Sequence, residues 1–253
     1  MIRKLIYALR FMTSLPIPWN ENEDLVQVSR SSGLFPLVGL IIALFLYGLQ
    51  ILSSWIFNPL TTAFLQTLAW VIMTGGLHLD GLSDSIDGLG SRQNRDRTLE
   101  IMKDSHTGAF GALSLILQIL LKTFFCYEIN EIDPLLILLV PVTGRWGQLI
   151  SILYFPPARK DGMGHFFQEH MRFRELVLGF FTTLLVYIGT GKTAMLFILP
   201  VHALFVLLTS RRISKKLGGL TGDIYGFICE TGESVVLIMI PVFFAVRLYF
   251  SLG

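Results

Sequence analysis

Three aspartates, Asp80, Asp84 and Asp87, stand at i, i+4 and i+7 in the stretch HLDGLSDSIDGLG that starts at His78. At 3.6 residues per turn their side chains project within an arc of roughly 60° on one helix face, with Leu79, Leu82, Ile86 and Leu89 opposite. Like charges stacked in this way destabilise a helix unless a cation offsets them. The pattern therefore predicts a divalent-cation site suited to phosphate or diphosphate chemistry. Carboxylate oxygens without cysteine, and with few histidines, select Mg²⁺, with Mn²⁺ as its substitute. A second acidic set, Asp223, Glu230 and Glu233, lies just before the last apolar run. Asp223 and Glu230 share a face if that segment is helical, and with Asp104 they are expected to complete the cation cage or hold a second ion. Asp96 and Glu100 read as solvated surface charges.

Several residues near these acids are candidates for substrate binding. His78 is a candidate ligand or general base, and equally a hydrogen-bonded bystander; His106 and His165 have weaker claims. In MKDSHTGAFG, Lys103 either pairs with Asp104 or binds phosphate. Ser105 and Gly108 lead into a span whose N-terminal dipole attracts anions. Arg145 sits mid-span in PVTGRWGQLI, where a charge costs at least about 2.5 kcal/mol, so it is expected to reach a phosphate or a cluster acid. In GGLTGD, Gly219, Thr221 and Gly222 form either a flexible turn or a loop presenting N–H groups to a phosphate. Lys122 reads as structural, snorkelling to the outer surface, and Gly108 and Gly111 as allowing close helix packing.

The elements that must position these groups lie in a bilayer. The chain has 253 residues, 53% of them hydrophobic and only 15% charged, with a mean hydropathy of +0.63; a soluble domain usually has about a quarter charged. Seven apolar runs approach spanning length. They cover roughly 33–57, 60–77, 108–125, 135–154, 176–189, 194–208 and 235–250. The fold class expected is all-α: a polytopic helical bundle of about seven transmembrane helices, with an N-terminal interfacial helix and cytoplasmic loop helices, in a single domain over 1–253. Sixteen of the 20 basic residues precede the first run or fall in the even-numbered gaps. The positive-inside rule then puts the N-terminus and the acidic clusters on the cytoplasmic side of the cell's inner membrane.

The N-terminal MIRKLIYALRFMTSLPIPW lacks a small-residue cleavage site and is expected to form an amphipathic helix ending at Pro16 and Pro18. Cys126 and Cys229 fall at different depths and are expected not to pair. Neither has metal-ligand spacing, and there is no Walker loop, dinucleotide fingerprint or repeat. Nothing points to nucleic acid as a partner; membrane lipid is one, and self-association is left open.

Taken in order, FMTSLPIPW, LHLDGLSDSIDG, MKDSHTGAFGAL, the GRW from Gly144 to Trp146, and GGLTGDIYGFICETGE resemble the cobalamin synthase, or adenosylcobinamide-GDP ribazoletransferase, family. The resemblance runs from about residue 8 to the last span. It implies an Mg²⁺-dependent membrane enzyme that joins adenosylcobinamide-GDP to α-ribazole, or its 5′-phosphate, and releases GMP. It further implies that Asp80, Asp84, Asp87, Asp104, Asp223 and Glu230 hold the metal and that Arg145 and Lys103 bind phosphate oxygens. His106 and Thr107 depart from the family, where Arg-Ile is frequent. Two alternatives compete: another Mg²⁺-dependent membrane transferase of the prenyltransferase or CDP-alcohol phosphotransferase type, and a transporter. A transporter would place its acids nearer the midplane, within inverted repeats.

Overall fold

The computed structural model describes residues 2–17 and 25–252; Pro18 and Trp19 of the first motif lie outside the described residues. The chain forms α1 (Ile2–Met12), α2 (Leu25–Ser29), α3 (Phe35–Ser53), α4 (Pro59–Thr74), α5 (Leu77–Gly90) and α6 (Arg95–Ile101). Then follow α7 (Ala109–Ile132), α8 (Leu139–Tyr154), α9 (Met163–His170), α10 (Phe173–Gly189), α11 (Ile198–Leu217) and α12 (Gly222–Leu252). Among the described residues no strand forms, and the one extended pairing is an isolated bridge between Pro157 and Leu220.

Five helical stretches are long and apolar enough to cross a membrane: Ser32–Ser53, Ala109–Ile132, Pro134–Tyr154, Thr193–Leu217 and Gly222–Ser251. A sixth is gained if α4 and α5 count as one broken span. The expected total of seven is not reached because α10, with 17 residues, extends only about 26 Å. The bundle is built around α8, which is buried along nearly its whole length and packs on α3, α10, α11 and α12. Outward-facing Leu44, Phe45, Phe64, Leu68, Leu117 and Phe124 give the outer helices an apolar surface fit for lipid.

Local sequence explains how α5 comes to lie across one end of this bundle. The Asn58 side chain accepts the Thr61 N–H at 2.9 Å and caps α4, whose first residue is Pro59. Gly75 (φ 60°) and Gly76 (φ 71°) then adopt left-handed conformations that close α4 and turn the chain by 89° into α5. A Cβ would strain both turns. α5 consequently runs nearly perpendicular to α4, apart from the five continuous spans and packed on α7 and α12. α1 buries Ala8 and Met12 against the bundle and ends four residues short of Pro16; Ser14 N–H donates to the Met73 carbonyl at 2.8 Å, tying it to the end of α4.

The largest departure from expectation is α12. The segment from Asp223 to Glu233 was expected to lie before the last span, whether helical or not, but it forms the first three turns of the same 31-residue helix, which includes Pro241. The apolar residues Ile224, Tyr225, Ile228 and Cys229 give that segment a continuous buried face, so the helix extends back to Gly222.

Candidate active site

The Asp-rich helix α5 and the start of α12 cross at unusually close range. A Cβ on Gly81 would lie 2.7 Å from the Asp223 carbonyl oxygen, and one on Gly226 would lie 3.2 Å from that of His78. Glycine is needed at 81, where a Cβ has no room, and the fit is tight at Gly226, so the helices cross almost backbone to backbone. It brings Asp80 and Asp223 to the same cavity, of about 180 Å³, with His78, Gln148 and Tyr225 also in its wall. A second cavity of about 160 Å³ adjoins it, sharing Gly222 and Asp223 and adding Arg159, His165 and Thr221.

The loop between α11 and α12 is fixed rather than flexible. Ala158 N–H donates to the Leu220 carbonyl at 2.8 Å, and Leu220 N–H to the Pro156 carbonyl at 2.9 Å. Gly219 lies against the Pro157–Ala158 backbone. The Arg95 guanidinium donates to the carbonyls of Leu217 and Ala158, both at 2.8 Å. Thr221 Oγ1 accepts the Ile224 N–H at 3.3 Å and donates to Asp223 Oδ2 at 3.1 Å, so it caps α12 and orients the aspartate. Gly222 lines both cavities.

The carboxylates of the α5 triad have different surroundings. Partial burial, then the negative charges of Asp80, Asp223 and Asp87, raise Asp84 from 3.8 to about 6. Asp87 instead caps α7: its two oxygens accept the N–H groups of Gly108 at 2.7 Å and Gly111 at 2.8 Å. The glycines of GAFGA thus admit a carboxylate as well as a helix. Asp80, Asp84 and Asp223 have no ion pair among the described residues. Their oxygens and mutual repulsion suit a hard divalent cation. Among the described residues, however, no three His, Cys, Asp or Glu side chains converge closely enough to hold one.

Other expected site residues lie elsewhere. Asp104 is exposed; its Oδ1 lies 2.6 Å from His106 Nδ1 and accepts the His106 N–H, and these bonds lower its pKa. Lys103 pairs with Asp161 at 3.8 Å rather than with Asp104, and Ser105 is exposed; none of the three lines either cavity. Glu230 is seven residues along α12 from Asp223, about 10 Å deeper in the bundle. It pairs with Lys122 at 2.8 Å and accepts from Gln118 at 2.9 Å, so it does not join the Asp-rich helix. Arg145 is fully buried and donates to Glu233 at 2.6 Å and to the Pro141 carbonyl, so it reaches an acid of the second cluster and no phosphate site. Lys122 does not snorkel: it is buried, bridges Glu230 and Glu233, and sits 4.1 Å above the Trp70 ring. Cys126 and Cys229 are both free thiols, as expected.

Sequence reasoning passed over Gln148, Tyr225, Phe167 and Arg159, all of which line one of the two cavities. Gln148, polar within an apolar span, was the one signal available; the others come together only through packing.

A family described as cobalamin-5-phosphate synthase matches residues 4–241. A protein of Desulfitobacterium hafniense (strain Y51) named adenosylcobinamide-GDP ribazoletransferase is 42% identical over 247 residues, covering 94% of this chain and 96% of its own. Proteins of that name from Herpetosiphon aurantiacus and Roseiflexus sp. are each 37% identical, over 95% and 91% of this chain and 96% and 86% of their own. No solved structure matches.

Proposed function

The chain belongs to the cobalamin-5-phosphate synthase family, and on that premise we propose that it joins adenosylcobinamide-GDP to α-ribazole or its 5′-phosphate with release of GMP. The observation that carries the reading is the meeting of Asp80 from α5 and Asp223 from the first turn of α12 at one cavity. The basic residues of the even-numbered gaps support placing this end of the bundle on the cytoplasmic side of the inner membrane.

In this reaction an acceptor hydroxyl oxygen forms a bond to the phosphorus that carries cobinamide. The bond from that phosphorus to the GMP oxygen breaks, GMP leaves with the bridging oxygen, and the hydroxyl proton passes to a base. His78 is buried in the cavity wall and neither ring nitrogen has a partner among the described residues, so its neutral ring can accept a hydrogen bond from that hydroxyl, while the proton passes to the carboxylate of Asp80 or Asp223 in the same wall. The Arg159 guanidinium, which anchors itself on the Leu99 carbonyl, lines the adjoining cavity and is placed to bind a phosphate oxygen. Mg²⁺, or Mn²⁺ in its place, would supply the charge that neutralises the diphosphate; since these side chains do not converge on a site by themselves, its ligands would be one or two of Asp80, Asp84 and Asp223 together with the substrate's own phosphate oxygens. Catalysis in this scheme is positioning and electrostatics.

Purified protein in detergent micelles with Mg²⁺ tests the reading. GMP is expected from adenosylcobinamide-GDP only when α-ribazole or its 5′-phosphate is present. Release without acceptor, or none with it, overturns the assignment.

A further inference from the structure

The cavity shared by α5 and α12 has two unlike parts. Asp80 and Asp223 supply carboxylates on one side. The remainder is apolar and aromatic. Phe11 stacks on Phe35 with ring centroids 5.8 Å apart and planes 15° apart. Phe167 packs against both at 5.1 and 5.8 Å, and Met12 and Met163 complete this wall. Three groups within the cavity lining are buried and lack a hydrogen-bond partner among the described residues: Gln148 Oε1, the Tyr225 hydroxyl and both ring nitrogens of His78. The Gln148 amide is already oriented, since its Nε2 donates to the Tyr225 carbonyl at 3.1 Å.

Buried polar atoms without partners cost about 1–3 kcal/mol each, so four of them on three residues that line one small aromatic cavity point to a ligand that satisfies them. Aromatic walls favour a flat ring system, and methionines adapt to its edges. Guanine would bring its carbonyl, ring N–H, amino group and ring nitrogens into this space, more than three protein groups satisfy. A benzimidazole nucleoside brings one ring acceptor and its ribose hydroxyls.

We propose that this cavity is the acceptor subsite, taking the bicyclic, largely apolar heteroaromatic base of the ribazole against Phe11, Phe35 and Phe167. The Tyr225 hydroxyl donates to the ring acceptor. Gln148 Oε1 accepts from a ribose hydroxyl, and another ribose hydroxyl points toward His78, Asp80 and Asp223. The corrinoid is far too large for 180 Å³ and stays outside, so only the nucleoside enters. This assignment rests on the ribazole-transfer reading above.

The test uses the full chain in detergent micelles with Tyr225→Phe and Phe167→Leu, both conservative in volume. Initial rates are measured with each substrate varied in turn, and binding of α-ribazole alone is measured by calorimetry. Tyr225→Phe should raise the KM for α-ribazole about 3- to 10-fold, the loss of one hydrogen bond, and weaken its calorimetric binding equally. The KM for adenosylcobinamide-GDP should be unchanged, and the melting temperature should stay at the wild-type value. A rise in the KM for adenosylcobinamide-GDP instead would assign the cavity to guanine and overturn the proposal, as would α-ribazole constants that move in neither variant. Failure of the functional reading is distinct: wild-type protein would then release no GMP with any ribazole, whatever the variants do.

Discussion

Two groups of carboxylates lie about two turns apart along α12, and their surroundings are opposite. In the bundle interior Glu230 and Glu233 face Lys122 and Arg145, giving two acids and two bases with N–O distances of 2.6 to 2.8 Å. Gln118 donates to Glu230, and Ser234 in turn donates to Gln118 at 3.0 Å. At the end of the bundle Asp80, Asp84 and Asp223 repel one another with no ion pair among the described residues, and partial burial together with that repulsion raises Asp84 to about 6. The inner set is closed: its charges cancel, and it clamps α7, α8 and α12 together. The outer set is open and carries uncompensated negative charge beside a cavity. A buried pair mostly resists being broken, whereas an uncompensated cluster invites a ligand. The acids of this sequence therefore separate into structure and chemistry by their partners, not by their spacing.

Variants that remove one acid from each set give the sharpest contrast. Glu233→Ala leaves Arg145 without its carboxylate in the interior and should destabilise the protein by about 3–5 kcal/mol, lowering the melting temperature by roughly 10 °C in detergent. A melting temperature near wild type would mean that the inner set is not a clamp. Asp84→Asn should leave folding intact while GMP release falls by at least about 100-fold, on the order of 2.7 kcal/mol; turnover within a few-fold of wild type would remove Asp84 from the reaction.

The pH response of the outer set follows from the partial burial of Asp84 and the repulsion of its neighbours. Asp84 is held at about 6 in the folded protein against an ordinary 3.8, so between those values the folded state binds more protons than the unfolded state. Stability without metal should therefore fall as pH rises from about 4 through about 6. Mg²⁺ should restore the loss, and Asp84→Asn should flatten the curve. Melting temperatures across that range with and without Mg²⁺ check the sign, and a rise with pH in metal-free protein would contradict it. The smallest effect is expected at Arg97 and Glu100, an exposed i, i+3 pair at 2.6 Å. Glu100→Gln should change stability by less than about 0.5 kcal/mol, within the error of the melting curves that resolve Glu233→Ala.

Much of the fold was legible because it depends on short-range pattern. Each of the seven expected apolar runs corresponds to a helix, α3, α4, α7, α8, α10, α11 or α12, although α4 and α10 are shorter than a full span requires. The Asp-rich stretch is the helix its periodicity predicts. What misled was the assumption that charged residues end a span. The Asp223 to Glu233 stretch was set apart from the last span because it holds three acids, yet it is continuous with that span because Lys122 and Arg145 arrive from α7 and α8 to pair with two of them. Lys122 was read against lipid and water for the same reason.

By itself the sequence determined that this protein lies in a membrane, where its helices run and that Asp80, Asp84 and Asp87 share one helix face, since hydropathy and helical period act over a few residues. Only the tertiary structure decided what each carboxylate meets. It gave Asp87 to the start of α7, Glu230 and Glu233 to buried cations, and Asp80 and Asp223 to a common cavity. Those partners come from more than 20 to more than 130 residues away in the chain, and electrostatic pairing in a low-dielectric interior depends on distance in space, which no local pattern encodes.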